Sequence, residues 1–242
     1  MNMKVYAATH IGKVRPNNQD AYYAPRPGET FAAVADGLGG HQAGEIASQR
    51  AIEEFARWLR CAPRPDEEAL RRAVIEANLG IYRDARAHSD WAGMGTTLTA
   101  VWFGDDFVYL AHVGDSRAYL FRSGALMQLS RDHSLVGEML ERGQITSQEA
   151  MVHPLRHYIT RTLGTDAAVE PDIIRLGFRP DDVWLLCTDG MSNHVRSMEM
   201  AEALTQPGSW ESRVDALVKL ALLKGGSDNI TVLLAVGGEA EQ

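Results

Sequence analysis

The sequence predicts an α+β fold, with antiparallel sheets that carry helices on their outer faces. Two observations lead there. Short runs rich in branched and aromatic residues, bounded by Gly or Asp, recur along the chain, and three longer stretches repeat apolar residues at spacings of three and four. These segments come as a strand, two helices, a block of strands, an irregular region, then strand, helix and strand. External helices on antiparallel sheets fit that order best.

Strand-like runs stand at "FAAVA" (31–35), "TTLTAVWF" (96–103), "DFVYLAHV" (106–113), "SRAYLFR" (116–122), "VWLLC" (183–187) and "NITVLLAV" (229–236), several of them close enough to pair as consecutive hairpins. The first helical stripe is Ala47, Ala51, Phe55 and Leu59. The second is Leu70, Ala73, Val74, Ala77, Ile81 and Ala85, opened by Asp66, Glu67 and Glu68, whose charges suit a helix N-terminus. The third runs Trp210, Val214, Leu217 and Ala221 and stops at Gly225 and Gly226. Between the middle strands and "VWLLC", residues 132–162 are polar and carry a proline, which predicts a small helical excursion on the surface. No repeat or linker divides the 242 residues, so one domain spanning 1–242 is expected, standing alone without an appended sensor.

A formal charge of −8 without a cluster of Lys and Arg argues against nucleic-acid partners, whose phosphates demand basic neutralisation. Cys61 and Cys187 are far apart and form neither a disulfide framework nor a zinc pattern, which points to a reducing, cytoplasmic compartment. The N-terminus lacks the apolar core of a signal peptide, and no apolar run approaches the ~20 residues of a membrane span.

Four acids sit at or beside the ends of apolar runs, each with a glycine within two positions: Asp36, Asp115, Asp189 and Asp228. Taken singly, each reads as a turn former. Together at one rim they would repel, each ionised pair at ~4 Å costing about 4 kcal/mol at an effective dielectric near ~20. Such a cluster calls for cations. Carboxylate and carbonyl oxygens are hard ligands that select Mg²⁺ or Mn²⁺, and a neighbouring glycine admits the main chain to the ion. The glycines of "GLGGHQ" (37–42) do not make a nucleotide loop, because Gln42 replaces the third glycine of the dinucleotide pattern and no Gly-Lys-Ser/Thr follows.

The stretches "RPNNQDAY", "VADGLGGHQAGEIAS", "MGTTLTA", "AHVGDSRAYL", "LSRDHSLV", "ITRTLG", "LLCTDGMSNHV" and "SDNITVLLA" occur in this order across nearly the whole chain. In them the sequence resembles the metal-dependent protein serine/threonine phosphatases of the 2C family, in their compact bacterial form. The resemblance implies a four-layer αββα sandwich of two antiparallel sheets flanked by helices, with two Mn²⁺ or Mg²⁺ ions at one edge.

It further implies that Asp36 bridges the ions, that the Gly37 carbonyl, Asp189 and Asp228 complete the protein ligands, and that Asp115 can hold a third ion. Asp20 would support metal-bound water, and Arg15 would grip phosphate with two parallel bonds, a geometry lysine cannot copy. Hydrolysis of phosphoserine and phosphothreonine by a metal-activated water is then expected, opposing a Ser/Thr kinase and acting on its substrates, with the protein a monomer. His41 is a candidate acid, although its spacing from Asp36 differs from that of the histidine proposed in eukaryotic relatives. His157, in the irregular insertion, is a candidate substrate contact. The zinc-helix spacing of His153 and His157 is broken by Pro154. A catalytically dead binding module of the same fold would be expected to lose metal acids, and a hydrolase of small phosphoesters or nucleotides is a third reading.

Overall fold

The computed structural model describes residues 2–39 and 43–238. The chain opens with β1 (Asn2–His10), β2 (Asp20–Tyr23) and β3 (Phe31–Leu38), followed by α1 (Ala43–Cys61) and α2 (Glu67–Ala87). The strands β4 (Gly95–Thr96), β5 (Leu98–Phe103), β6 (Phe107–Val113), β7 (Arg117–Arg122) and β8 (Ala125–Gln128) come next. After them lie α3 (Leu135–Glu141), α4 (Ser147–Val152), β9 (Asp172–Gly177), β10 (Val183–Cys187), α5 (Asp189–Ser192), α6 (Ser197–Thr205), α7 (Trp210–Leu223) and β11 (Ile230–Gly238).

The strands form two antiparallel sheets. One runs β1-β11-β10-β7-β8, the other β2-β3-β5-β6-β9, with β4 added against β3. Side-chain alternation sorts the core into three layers. Ala32, Val34, Val101, Phe103, Val108 and Leu110 of the second sheet meet Ala118, Leu120, Trp184, Leu186, Leu233 and Ala235 of the first. Their neighbours Ala33, Ala35, Ala100 and Ala111 face outward onto α1 and α2. Leu185, Cys187, Val232 and Leu234 face α6 and α7. The central strands are therefore covered on both faces, which is why they read as continuous apolar runs rather than alternating ones.

The predicted helix stripes are buried except for Trp210, which is half-buried at the start of α7. Asp66 is the N-cap of α2, its side chain accepting from the Ala69 amide at 2.7 Å. Asn78, fully buried within the α2 stripe, donates to the Asp166 carbonyl at 3.0 Å and accepts from the Gly164 amide at 2.8 Å, so one polar side chain fastens the loop that precedes β9. The irregular region contains the expected helical excursion, α3 and α4.

The runs at 106–113 and 116–122 are adjacent in sequence but do not pair, since β6 belongs to one sheet and β7 to the other. The chain crosses between layers at Gly114, whose φ of +109° and 2.5 Å approach of its would-be Cβ to Thr97 exclude any side chain.

Candidate active site

All four strand-end acids emerge at the same end of the two sheets. Asp36 lies in β3, directly opposite Asp20 of β2 in the antiparallel register. Asp115 follows β6, Asp189 opens α5 immediately after β10, and Asp228 precedes β11. The carboxyls of Asp36 and Asp189 are within hydrogen-bond reach of each other.

The backbone under Asp36 is held by hydroxyls. Its amide donates to Thr97 Oγ1 at 2.9 Å, its carbonyl accepts from Thr96 Oγ1 at 2.9 Å, and Thr97 Oγ1 meets Ser116 Oγ at 2.7 Å. Glycine at 37 serves close approach: a Cβ there would lie 2.0 Å from the Gly44 carbonyl oxygen.

Burial raises the carboxyls first and their mutual repulsion raises them further. Asp36 is raised well above the ordinary range by burial and then by Asp20, Asp189, Asp115 and Asp228. Asp20 is pushed up to about 7 by burial, against hydrogen bonds from Thr231 and Thr188 that lower it. Asp115 is pushed up to about 8 by burial and by Asp189. Asp189 is raised by burial and by Asp228. Carboxylates are normally kept this close only with compensating positive charge.

Asp20 is oriented by two hydroxyls from the opposite sheet, Thr188 Oγ1 at 2.8 Å and Thr231 Oγ1 at 2.7 Å, both on Oδ2. Its buried Oδ1 has no protein partner, and neither has Oδ1 of Asp115. Among the described residues, no three His, Cys, Asp or Glu side chains close on one point as a metal cage would. The donors present are hard oxygens with two buried lone-pair sites unsatisfied, a set that fits divalent cations retaining part of their water.

Arg15 reaches this end from the loop between β1 and β2, its Nη2 donating to Asp228 Oδ2 at 2.7 Å. The expectation for Arg15 is a grip on phosphate; here its guanidinium pairs with Asp228, one of the candidate metal acids. His157 is exposed on the turn after α4, close enough to Asp189 for its charge to lower that carboxyl. His41 lies outside the described residues. His153 and His157 occupy a turn, not one helix face, and the His153 Nδ1 accepts from the Leu155 amide at 3.2 Å.

Sequence reasoning missed the residues that tie the loops together. Asn229 donates to the carbonyls of Ile11 and Asn17, each at 2.9 Å, and accepts from the Gln19 amide at 2.8 Å, joining the Asp228 loop to the one bearing Arg15. Asn193 donates to Asp189 Oδ2 at 3.0 Å. The only signal for either was its place inside a motif. The insertion is rooted by His133, whose Nδ1 accepts from the Gly114 amide at 3.1 Å beside Asp115. The His133 ring centroid lies 4.7 Å from that of His112, which burial lowers to about 4, and His133 is itself lowered by burial and by Arg161.

Two stacked antiparallel sheets with a half-buried carboxylate cluster at one end make a site whose oxygen donors suit a metal-dependent hydrolase. Residues 8–222 match the family described as "Protein phosphatase 2C". The chain is 38% identical over 233 residues to the serine/threonine phosphatase stp of Listeria monocytogenes, covering 93% of this chain and 92% of that protein. The crystal structure of the Mycobacterium tuberculosis serine/threonine phosphatase PstP/Ppp superposes with a TM-score of 0.91 at 39% identity, over 98% of this chain and 99% of that one. The PstP catalytic domain in complex with two manganese ions gives a TM-score of 0.87, also at 39% identity, over 97% of each chain.

The chain belongs to the protein phosphatase 2C family. It is a metal-dependent protein-serine/threonine phosphatase of the compact bacterial form, acting on phosphorylated proteins. Among the described residues, no helix is long and apolar enough to cross a membrane.

Proposed function

We propose that Asp36, the Gly37 carbonyl, Asp189 and Asp228 hold two divalent cations, Mn²⁺ or Mg²⁺, with Asp115 and Asp189 able to take a third. The observation that carries this reading is the convergence of acids from both sheets, of which Asp20, Asp36, Asp115 and Asp189 are raised by burial and then by neighbouring acids. The manganese complex of PstP supports it. Cations bound there would supply Lewis acidity, lowering the pKa of water toward neutrality and offsetting charge at phosphorus.

The chain's own residues orient the reactants. Arg15 leaves Asp228 for the phosphoryl oxygens and grips them with two parallel bonds. Asp20, fixed by Thr188 and Thr231, keeps Oδ1 free to accept from the attacking water. Water adds to phosphorus as the ester oxygen departs and is protonated, leaving serine or threonine and inorganic phosphate. His157 contacts the substrate chain beside this centre. We read 1–242 as one catalytic domain with 132–162 as its flap, opposing a Ser/Thr kinase on shared substrates.

Turnover of a phosphothreonine peptide is expected with Mn²⁺ and lost with a chelator, at a rate well above that for a nucleoside monophosphate. Faster turnover of the nucleotide would sink the protein-substrate assignment. For Arg15→Ala, the KM for the peptide should rise by about tenfold or more, as loss of a charge-assisted bond implies. Manganese affinity, followed by calorimetry, should change by less. An equal loss of metal affinity would place Arg15 with the ions instead.

A further inference from the structure

Beside the carboxylates opens a cavity of about 1120 Å³. It begins at Asp115 and Asp189, passes along α3 on one wall and residues 192–197 on the other, and reaches Arg142, Arg156 and Arg196. Pockets of about 300–1,000 Å³ enclose whole drug-sized ligands, so this one has room for far more than a phosphoryl group.

Its arginines differ in how they are engaged. Arg142 pairs with Glu138 at 3.1 Å and Arg196 with Glu199 at 3.5 Å, both on exposed guanidinium groups. Exposed pairs of this kind are worth about 0–1 kcal/mol and exchange readily for another anion. Arg156 is exposed and touches only the His153 carbonyl, at 3.5 Å. No carboxylate pairs with it among the described residues. Leu155 and Tyr158 flank it, 48% and 61% exposed, and His157 of the same turn lies within electrostatic reach of Asp189. The turn thus offers a cation and apolar contact area next to the reacting centre.

We propose that this cavity receives the polypeptide flanking the phosphorylated residue, and that Arg156 selects substrates carrying an anionic side chain there, a carboxylate or a second phosphate. The inference rests on the metal-centre reading above. A chain with a net charge of −8 repels acidic segments in general. The cavity lining balances its acids with arginines, and among the described residues Arg156 is the cavity arginine without a carboxylate partner, so it is the cation left to select which phosphorylated segments dock.

The test uses phosphothreonine peptides that differ only in whether the flanking positions carry Glu, phosphothreonine, Ala or Lys. Wild-type kcat/KM should favour an anionic flank over Ala by about tenfold, equivalent to ~1.4 kcal/mol. Arg156→Ala should bring that ratio close to one through KM, Arg156→Lys should keep part of it, and Arg156→Glu should turn it toward Lys. A partly misfolded variant lowers every peptide alike and leaves the ratio intact. A preference for both anionic flanks, or for phosphothreonine alone, supports the proposal and identifies the source of the charge. Equal turnover of all peptides by wild type, or an unchanged ratio in Arg156→Ala, overturns it. If wild type hydrolyses none of them with Mn²⁺ and also fails on p-nitrophenyl phosphate, the metal-centre reading itself has failed.

Discussion

Asp36→Asn is expected to lower Mn²⁺-dependent turnover of a phosphothreonine peptide by about 10³-fold or more, while raising the melting temperature of the metal-free protein. The two effects have one cause. Asp36 faces Asp20 across the β2–β3 ladder, shares a hydrogen bond with Asp189, and is raised by burial and by four neighbouring acids. Asparagine keeps the shape and removes the charge. If Asp36 holds the ions as proposed, its loss would forfeit several kcal/mol of transition-state stabilisation, and ~4 kcal/mol is about 10³-fold in rate. Relief of repulsion should stabilise the apo state, each kcal/mol adding about 2–4 °C in a chain of this size. Steady-state kinetics and calorimetry with a chelator read the two arms separately. An active Asp36→Asn protein would remove the ligand assignment, and an inactive one with no gain in melting temperature would mean that the acids do not strain the apo fold.

The second large effect is in pH and metal together. The carboxyls of Asp20 and Asp115 rise from 3.8 to about 7 and about 8 on folding. Between those limits the native state binds more protons than the unfolded chain, so their contribution to stability is full below about 3.8 and is lost as pH rises through 7 and 8. His112 works the other way. Its pKa falls from 6.5 to about 4, adding stability as pH climbs to 6.5 and nothing beyond. Above pH 6.5 the acids act alone, and the metal-free melting temperature should drop by about 5 °C between pH 6.5 and 8.5. Saturating Mn²⁺ should flatten that slope and raise the midpoint throughout, a hundredfold excess over Kd being worth about 2.7 kcal/mol. A flat apo profile would contradict the raised carboxyls.

The limits of what the sequence shows follow a physical line. The strands it reveals, β3, β5, β6, β7, β10 and β11, are the interior ones, buried on two faces and therefore continuously apolar. The strands it hides, β1, β2, β8 and β9, are the outermost of each sheet. Exposed on one side, they mix Asp, Arg, Lys and Gln with apolar residues, and β8 buries none of its four. The helices α1, α2 and α7 were legible because each has a buried stripe several turns long, whereas α5 and α6 went unread, α6 being short with only Met200 and Leu204 buried. Asp20 opens the edge strand β2 and was reached only through the family resemblance, whereas Asp36, Asp115, Asp189 and Asp228 were legible because each lies in or beside the end of an interior strand. Thr188 and Thr231 were not, since they meet Asp20 across 168 and 211 residues and no local pattern records such contacts.

Asp20 and Asp36 belong to one layer of the sandwich, whereas Asp189 and Asp228 border strands of the other. Whatever neutralises this end therefore joins two slabs that otherwise meet through apolar packing and a few hydrogen bonds, those of Thr188 and Thr231 to Asp20 among them. On the proposed metal reading, cation supply would bear on the join between the two layers at this end as well as on the chemistry there.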